Sequence, residues 1–286
     1  MSTLVWNRPQ PQASRRVVVH SLVSALPAVS SDAYENLTDT AVSVHQCCVR
    51  NARPTLVAEL ASRQQTSPAV AAVAVLDLLD HGLLYQHTTT QEPQALRRIM
   101  EALSDPTGPI HEDKGTHGDA SLVKMLVVGR SGAGVSTCVA QLGPQAPLVY
   151  SAVDSDLRLD ASLCDMGAGV HLALFGVSGS KDDSPQWLDL TRDAVAAVLL
   201  ICSEDIAGGL GDERRLIGVL DAAQIPFVVA VNLVDGADPA ADDLRHALGV
   251  SRRQRPVPVV MGDVRLHSAV SRTLTDLCSY LLGGER

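Results

Sequence analysis

The chain has 286 residues, of which 46% are hydrophobic and 19% are charged, and its formal net charge is -9. This length and composition suffice for one or two ordinary hydrophobic cores, and we expect two domains. The acidic balance gives no long-range attraction for nucleic acid or an anionic membrane, and the sequence contains no sizeable basic patch that would reverse it. Nucleic acid is therefore not expected as a partner.

The cysteines and histidines show no metal-binding pattern. None of the nine histidines recurs at metal-ligand spacing, and the six cysteines form neither a CxxC pair nor a zinc-type cluster. Most cysteines lie in apolar runs, which favours reduced thiols in a protein core. No apolar span reaches membrane length. We expect a soluble, cytoplasmic protein.

The N-terminal third predicts an arm followed by a small helical module. Residues 1–33 are rich in Pro, Gln and Ser and predict a flexible arm. Residues 34–91 then carry three helical patterns and a β-prone run, an order that predicts a winged-helix-like module. The helical patterns are Thr40–Arg50, Thr55–Ser62 and Ala69–Leu79, and the β-prone run is Leu83–Thr90.

Residues 92–120 are predicted to be a linker that contains one short helix, Gln94–Leu103. Residues 121–286 alternate between strand-like and helical segments, which predicts an α/β fold with a mostly parallel sheet and helices on both faces. The predicted strands are Leu122–Val128, Val170–Phe175, Ala194–Cys202, Phe227–Val231 and Pro258–Met261. The predicted helices are Ser136–Leu142, Asp212–Ala223, Asp242–Leu248 and Leu266–Leu282.

The most informative stretch of the chain follows the first of these strands. It matches the P-loop pattern GxxxxGK[ST] except that Val135 replaces the lysine, and it consists of Gly129, Arg130, Ser131, Gly132, Ala133, Gly134, Val135, Ser136 and Thr137. In this pattern the glycines let backbone N–H groups surround phosphates, and the lysine reaches the β- and γ-phosphates. Loss of one charge-assisted contact costs about 1.5–3 kcal/mol, on the order of tenfold to a hundredfold in affinity. An ordinary strand-to-helix turn is the alternative interpretation.

Residues 122–283 resemble the small GTPase-like CvnD proteins of actinobacterial conservons, which are similar to Ras-like and gliding-motility GTPases. The landmarks are the glycine loop, Leu174–Ser180, Val231–Asp235 and Gly262–Arg265, in that order. Residues 36–91 resemble the winged-helix-like conservon component CvnC. The resemblance implies a Ras-like P-loop NTPase fold fused to a winged-helix-like module.

The resemblance also implies site residues. Ser136 stands where relatives bind Mg²⁺, and Asn232 and Asp235 stand where relatives bind guanine. The Asp carboxylate of that motif accepts two hydrogens from the guanine edge. Asp263 and Val264 would form the second base loop. The alternative is an Asn/Asp turn of the kind that commonly follows a buried strand.

Several features of the resembled family are missing, and they bear on catalysis. Ser180 stands where relatives have the Gln that orients water, and no threonine occurs between Thr137 and Thr191. Because phosphoryl transfer depends on positioning and charge stabilisation, these losses predict hydrolysis reduced by many orders of magnitude. No catalytic residue is assigned, and the sequence favours a protein that is not an enzyme. Arg130, or a residue lent by a partner, could partly replace the lysine.

The sequence thus predicts a degenerate small GTPase-like protein, a pseudo-GTPase, that binds guanine nucleotide weakly or not at all and acts through protein contacts. The cofactor would be GTP or GDP with Mg²⁺, or none. The resemblance implies a Roadblock-type protein and a sensor histidine kinase as partners, with membrane contact only through them. Two alternatives remain: a slow but active GTP-binding switch, and a DNA-binding regulator. Residues 67–80, the presumed recognition helix, contain no Lys or Arg.

Overall fold

The computed structural model describes residues 17, 21–26, 34, 36–51, 54–104, 121–142, 148–151, 158–178, 190–234 and 239–283. The chain divides into two compact units, Met1–His87 and Thr88–Arg286. Most of the predicted arm, the second half of the predicted linker, Ser180 and Asp235 lie outside the described residues.

The first unit combines helices with a small antiparallel sheet. Its described elements are β1 (Leu22–Ala25), α1 (Asp39–Asn51), β2 (Thr55–Leu56), α2 (Val57–Arg63), α3 (Pro68–Asp80) and β3 (Leu84–Gln86). Helix α3 begins where its sequence indicates, because Pro68 suits the first turn and the Ser67 side chain accepts a hydrogen bond from the backbone N–H of Val70. The three predicted helices are present, with ends within a few residues of those expected.

Strand β1 lies inside the segment that was predicted to be a flexible arm. It is the middle strand of the sheet, between β2 and β3, and it pairs antiparallel with both. All four of its residues are buried. The run is too short to show strand periodicity, so its order comes from tertiary pairing. Residues 22–25 are therefore part of the folded unit, which corrects the extent of the arm.

The second unit is an α/β domain built on one large sheet. Its elements with described bounds are α4 (Pro93–Ser104), β4 (Ser121–Gly129), α5 (Val135–Ala140), β5 (Leu148–Ser151), β6 (Arg158–Asp165), β7 (Val170–Ser178), β8 (Ala196–Cys202), a 3-10 helix (Ser203–Gly208), α6 (Gly211–Ala222), β9 (Phe227–Asn232), α7 (Ala241–Ala247), β10 (Val259–Gly262) and α8 (His267–Leu281). The strand order is β10-β9-β8-β4-β7-β6-β5. All neighbouring strands are parallel except at β6, which is antiparallel to both β5 and β7.

This sheet confirms the predicted α/β class with a mostly parallel sheet and a glycine loop after its first strand, the arrangement of a P-loop domain. Alternate strand residues pack into a core with α4, α5 and α8, for example Val127 and Leu200 with Leu274. Helix α6 packs against β4 and β8 and buries Leu216 and Leu220. Helices thus cover both faces.

Helix α4 occupies the start of the segment predicted to be a linker. It packs against α8 and buries Leu96 and Ile99 in the core of the second unit. Its amphipathic sequence predicted the helix, but a single sequence does not show which core the apolar face joins. The linker therefore cannot begin at residue 92.

Strands β5 and β6 were absent from the sequence prediction. In β6 the polar residues Asp160 and Ser162 alternate with Leu159 and Ala161, and the run is less apolar than the parallel strands. Because β6 is antiparallel to β7, its beginning lies at the edge of the sheet where β4 and β7 end. None of the described helices is both long and apolar enough to cross a bilayer.

Candidate functional site

The glycine loop lies at the carboxyl edge of the parallel strands, where open α/β sheets bind ligands. Strand β4 ends at Gly129, and α5 begins at Val135. Between them, Ser131 and Gly132 are exposed at the tip of the loop and Ala133 is buried, while Thr137 is half-buried in the first turn of α5. The loop therefore presents backbone groups to solvent at its tip.

Asn232, at the end of β9, links the glycine loop to the second predicted base loop. Its Nδ2 donates to the carbonyl of Ala133 at 3.2 Å, and its Oδ1 accepts from the backbone N–H of Val264 at 3.2 Å. Gly134 is in the left-handed region at φ 100°, and a β-carbon there would lie 2.8 Å from Asn232 Nδ2. Only glycine allows this approach. The structure thus brings together Asn232, Val264 and the glycine loop.

Val135 fills the space under the loop instead of extending toward solvent. Its side chain is 2% exposed. A β-carbon added to Gly129 would lie 3.1 Å from Val135 Cγ2, and one added to Gly176 would lie 2.8 Å from Val135 Cγ1. Val135 therefore packs directly onto the backbone of β4 and β7, and its contacts under the glycine loop are apolar.

Arg130 is engaged with carboxylates on the 3-10 helix and α6. Its Nε lies 3.3 Å from Asp212 Oδ2 and 4.0 Å from Glu213 Oε1, and its Nη1 lies 3.5 Å from Asp205 Oδ1. Glu213 is 1% exposed, and burial raises the pKa of its carboxyl while the nearby Arg130 opposes that rise. Its Oε2 has no hydrogen-bond partner within the described part of the chain. Arg130 is thus a cation within 4.0 Å of this buried acid.

Ser136 donates from Oγ to Oδ2 of Asp160 at 2.5 Å. Asp160 lies on β6 and is fully buried. Hydroxyl and carboxylate oxygens are the ligand types that Mg²⁺ prefers. A serine hydroxyl can ligate a cation through its oxygen lone pairs while donating its own proton elsewhere. Ser136, half-buried at the loop, therefore fits Mg²⁺ as a single ligand, and Asp160 lies behind it as the acceptor of its proton.

Asp263 and Arg265 form a local ion pair in the second base loop. The guanidinium of Arg265 lies 2.7 Å from Asp263 Oδ2, and its backbone N–H donates to Asp263 Oδ1 at 2.9 Å. These two contacts hold the pKa of the Asp263 carboxyl below its ordinary value. Asp263 is thus occupied within its own loop, next to Val264.

Sequence reasoning missed four acidic residues around the loop: Asp160, Asp205, Asp212 and Glu213. The available signal for Asp160 was a carboxylate in an alternating run, Leu159–Leu163, that is otherwise suited to a strand. Of the other three, Asp205 lies in the 3-10 helix that follows β8, and Asp212 and Glu213 lie in the first turn of α6. Acidic residues are common in the first turn of a helix. In the sequence these three do not differ from such residues, and only their contacts with Arg130 in the fold set them apart.

The cysteines match their prediction. All six are unpaired and buried, and burial raises the pKa of Cys138 to about 12. The described residues contain no group of three or more His, Cys, Asp or Glu side chains that could hold a metal ion.

The chain matches no family model and no curated protein. Among solved structures it is similar to the G domain of the T. maritima FeoB iron transporter, with 16% identity, a TM-score of 0.39, and coverage of 58% of this chain and 99% of that one. It is also similar to an Era variant of Aquifex aeolicus bound to GDP and AlF4⁻, with 13% identity, a TM-score of 0.43, and coverage of 56% of each chain. An NFeoB variant of S. thermophilus bound to GDP has 16% identity, a TM-score of 0.41, and coverage of 57% of this chain and 65% of that one. These likenesses are weak, and the P-loop fold is assigned on the strand order and the glycine loop.

Proposed function

We propose that this chain is a degenerate small GTPase-like protein that binds guanine nucleotide weakly or not at all and acts through contacts with other proteins. The observation that carries the proposal is the buried side chain of Val135, packed against Gly129 and Gly176 where a P-loop requires lysine. An aliphatic group there gives a terminal phosphate neither charge nor a hydrogen bond.

The surroundings of Arg130 support the same conclusion. Its guanidinium lies 3.3–4.0 Å from carboxylate oxygens of Asp205, Asp212 and Glu213. If Arg130 turned toward a phosphate, Glu213 would lose the compensation of this cation while remaining buried. Leaving a buried charge uncompensated is costly, so Arg130 is a poor replacement for the missing lysine.

The proposal extends to the setting in which the protein works. We assign the first unit as a winged-helix-like module of the CvnC type and the whole chain as a cytoplasmic signalling or scaffolding component of a conservon-type system. A Roadblock-type protein and a sensor histidine kinase are the proposed partners. Three helices with an antiparallel sheet support the module, and the partners rest on the resemblance alone. Fusion of the two components would keep them at high effective concentration.

The rival function is a slow GTP-binding switch, and the hydrogen bonds of Asn232 are the observation in its favour. They tie the glycine loop to the second base loop, as a working pocket would require. DNA binding has less support, because α3 exposes Val70 and Val73 and contains no Lys or Arg.

Val135→Lys, with Val135→Met as the matched control, tests the proposal. A fluorescent GDP analogue titrated into each full-length protein with Mg²⁺ should bind the unaltered chain and the Met variant weakly or not at all. The Lys variant should gain about tenfold to a hundredfold in affinity, because it regains one charge-assisted contact. Circular dichroism checks that each variant is folded.

A second measurement uses the unaltered chain alone. Protein purified without added nucleotide is denatured, and the supernatant is examined for guanine nucleotide. We expect none. Stoichiometric GDP or GTP in the supernatant, together with turnover of GTP, would establish the rival switch and overturn the proposal.

A further inference from the structure

Ser136, next to the glycine loop, is the donor in its hydrogen bond with Asp160. This direction decides which other groups the Ser136 hydroxyl can bind. Ser136 Oγ donates to Asp160 Oδ2 at 2.5 Å. A serine hydroxyl has one proton and two acceptor lone pairs. Because the proton is committed to Asp160, the lone pairs of Ser136 are directed away from that carboxylate.

The chain builds this contact from two strands and one helix. Asp160 on β6 is directly opposite Gly176 on β7. A β-carbon on Gly176 would lie 2.7 Å from Val139 Cγ2 and 2.8 Å from Val135 Cγ1. The missing side chain at Gly176 therefore lets α5 lie close to the sheet, which brings Ser136 within reach of Asp160.

A hydroxyl with fixed lone pairs at a half-buried position is a ligand for a hard cation. Mg²⁺ takes oxygen ligands and retains several waters, and it commonly bridges protein oxygens to substrate phosphates. Groups behind a ligand that fix its orientation change metal affinity by about 10–100-fold. Asp160 is fully buried, so its place is behind Ser136 and not in direct contact with a cation entering from solvent.

We propose that Asp160 is a positioning residue that fixes the Ser136 hydroxyl as an acceptor for a divalent cation bridging to the phosphate of a guanine nucleotide. The inference rests on the weak nucleotide binding of the proposed function. It adds that a bound cation would supply the positive charge that the aliphatic side chain of Val135 does not. What binding the chain has should then depend on Mg²⁺.

The test compares full-length Asp160→Asn, Ser136→Ala and the double variant, with Asp165→Asn as the control. Asp165 is on the same strand, and its Oδ1 accepts from the backbone N–H of Gly167, a bond that Asn can also accept. A fluorescent GDP analogue is titrated with Mg²⁺ and again with EDTA. The ratio of the two affinities is the readout, and the thermal unfolding midpoint of each variant confirms folding.

Asp160→Asn should reduce the gain in affinity from Mg²⁺ by about tenfold or more. The double variant should lose no more than Ser136→Ala alone, because Asp160 acts through Ser136. The Asp165→Asn control should keep the full gain.

An unchanged Mg²⁺ gain in Asp160→Asn, or losses that add in the double variant, would overturn the inference. Absence of any saturable binding to the unaltered chain would also overturn it, while leaving the proposed function intact. Turnover of GTP by the unaltered chain would overturn the proposed function instead, and the Asp160→Asn comparison would still decide this inference.

Discussion

The proposed base side of the candidate site, around Asn232, and its proposed phosphate side, at the glycine loop, differ in what their residues do without a ligand. On the base side, Asn232 makes two hydrogen bonds that join separate loops. On the phosphate side, Val135 packs into the core and Arg130 is held by carboxylates. The hydrogen bonds that Asn232 makes between loops stabilise the fold whether or not nucleotide binds. A lysine in place of Val135 would instead contribute by binding a phosphate. A folding role for Asn232 is therefore compatible with the apolar side chain of Val135 in one protein.

Asn232→Ala should produce the largest loss of stability and would test the structural role of the base side. The substitution leaves the Ala133 carbonyl and the Val264 N–H without their partner in a buried region. Each such group costs about 1–3 kcal/mol, so we expect the free energy of unfolding to fall by about 2–6 kcal/mol. Urea unfolding followed by circular dichroism measures the change.

The control for Asn232→Ala is Asn36→Ala, at an exposed asparagine, where surface substitutions change stability by less than about 0.5 kcal/mol. Hydrogen exchange should rise in residues 129–134 and 262–265 of the Asn232 variant. Equal unfolding curves for the two variants would contradict the structural role, and Asn232 would then be a residue for ligand alone.

Gly176→Ala should have the next largest effect and tests the packing on the phosphate side. The new β-carbon would lie 2.7 Å from Val139 and 2.8 Å from Val135, so α5 must move away from the sheet. Overpacking of this kind costs about 1–3 kcal/mol. Thermal unfolding measures the loss, and displacement of α5 should weaken the bond between Ser136 and Asp160.

Gly218→Ala is a control of opposite sign for Gly176→Ala. Gly218 is an exposed residue inside α6, and no atom lies within 4 Å of a β-carbon placed there. Alanine in a helix interior is favoured over glycine by about 0.5–1 kcal/mol. The Gly218 variant should therefore be more stable than the unaltered chain, and destabilisation of both variants alike would show that close packing at Gly176 is not the cause.

The sequence predicted the helices and strands that have a strong local hydrophobic pattern. It missed the strands whose order depends on pairing with distant parts of the chain. The five parallel strands and the helices α5 to α8 among the described residues were predicted with ends close to those observed, because buried strands and amphipathic helices have strong periodicity. Strand β1 and the pair β5 and β6 were missed, because their order comes from partners elsewhere in the chain.

The same limit applies to the candidate site. The positions of the glycine loop and of Asn232 followed from motif spacing. The contacts of Arg130 with Asp205 and Asp212, and of Ser136 with Asp160, join residues between 24 and 82 positions apart. No local pattern predicts such contacts. Whether Arg130 is available to a phosphate therefore had to be determined from the fold.

Glu213→Gln should have the smallest effect on stability. It tests whether the attraction between Glu213 and Arg130 outweighs the cost of burying the Glu213 carboxylate. Burial raises the pKa of the Glu213 carboxyl in the folded chain above its unfolded value of about 4.3. The folded protein thus holds this proton more tightly than the unfolded chain does. The contribution of Glu213 to stability must then fall as pH rises from the unfolded value through the raised folded value.

Glutamine has nearly the same shape and does not ionise, so Glu213→Gln should remove this decline. The unfolding curves of the variant and the unaltered chain should agree at acidic pH and diverge toward neutral pH, with the variant more stable. Glu204→Gln, at an exposed carboxyl on the 3-10 helix, is the control and should show no such divergence. A Glu213 variant that is less stable at neutral pH would mean that the attraction between Glu213 and Arg130 outweighs the cost of burial. Arg130 would then be held still more firmly away from any phosphate.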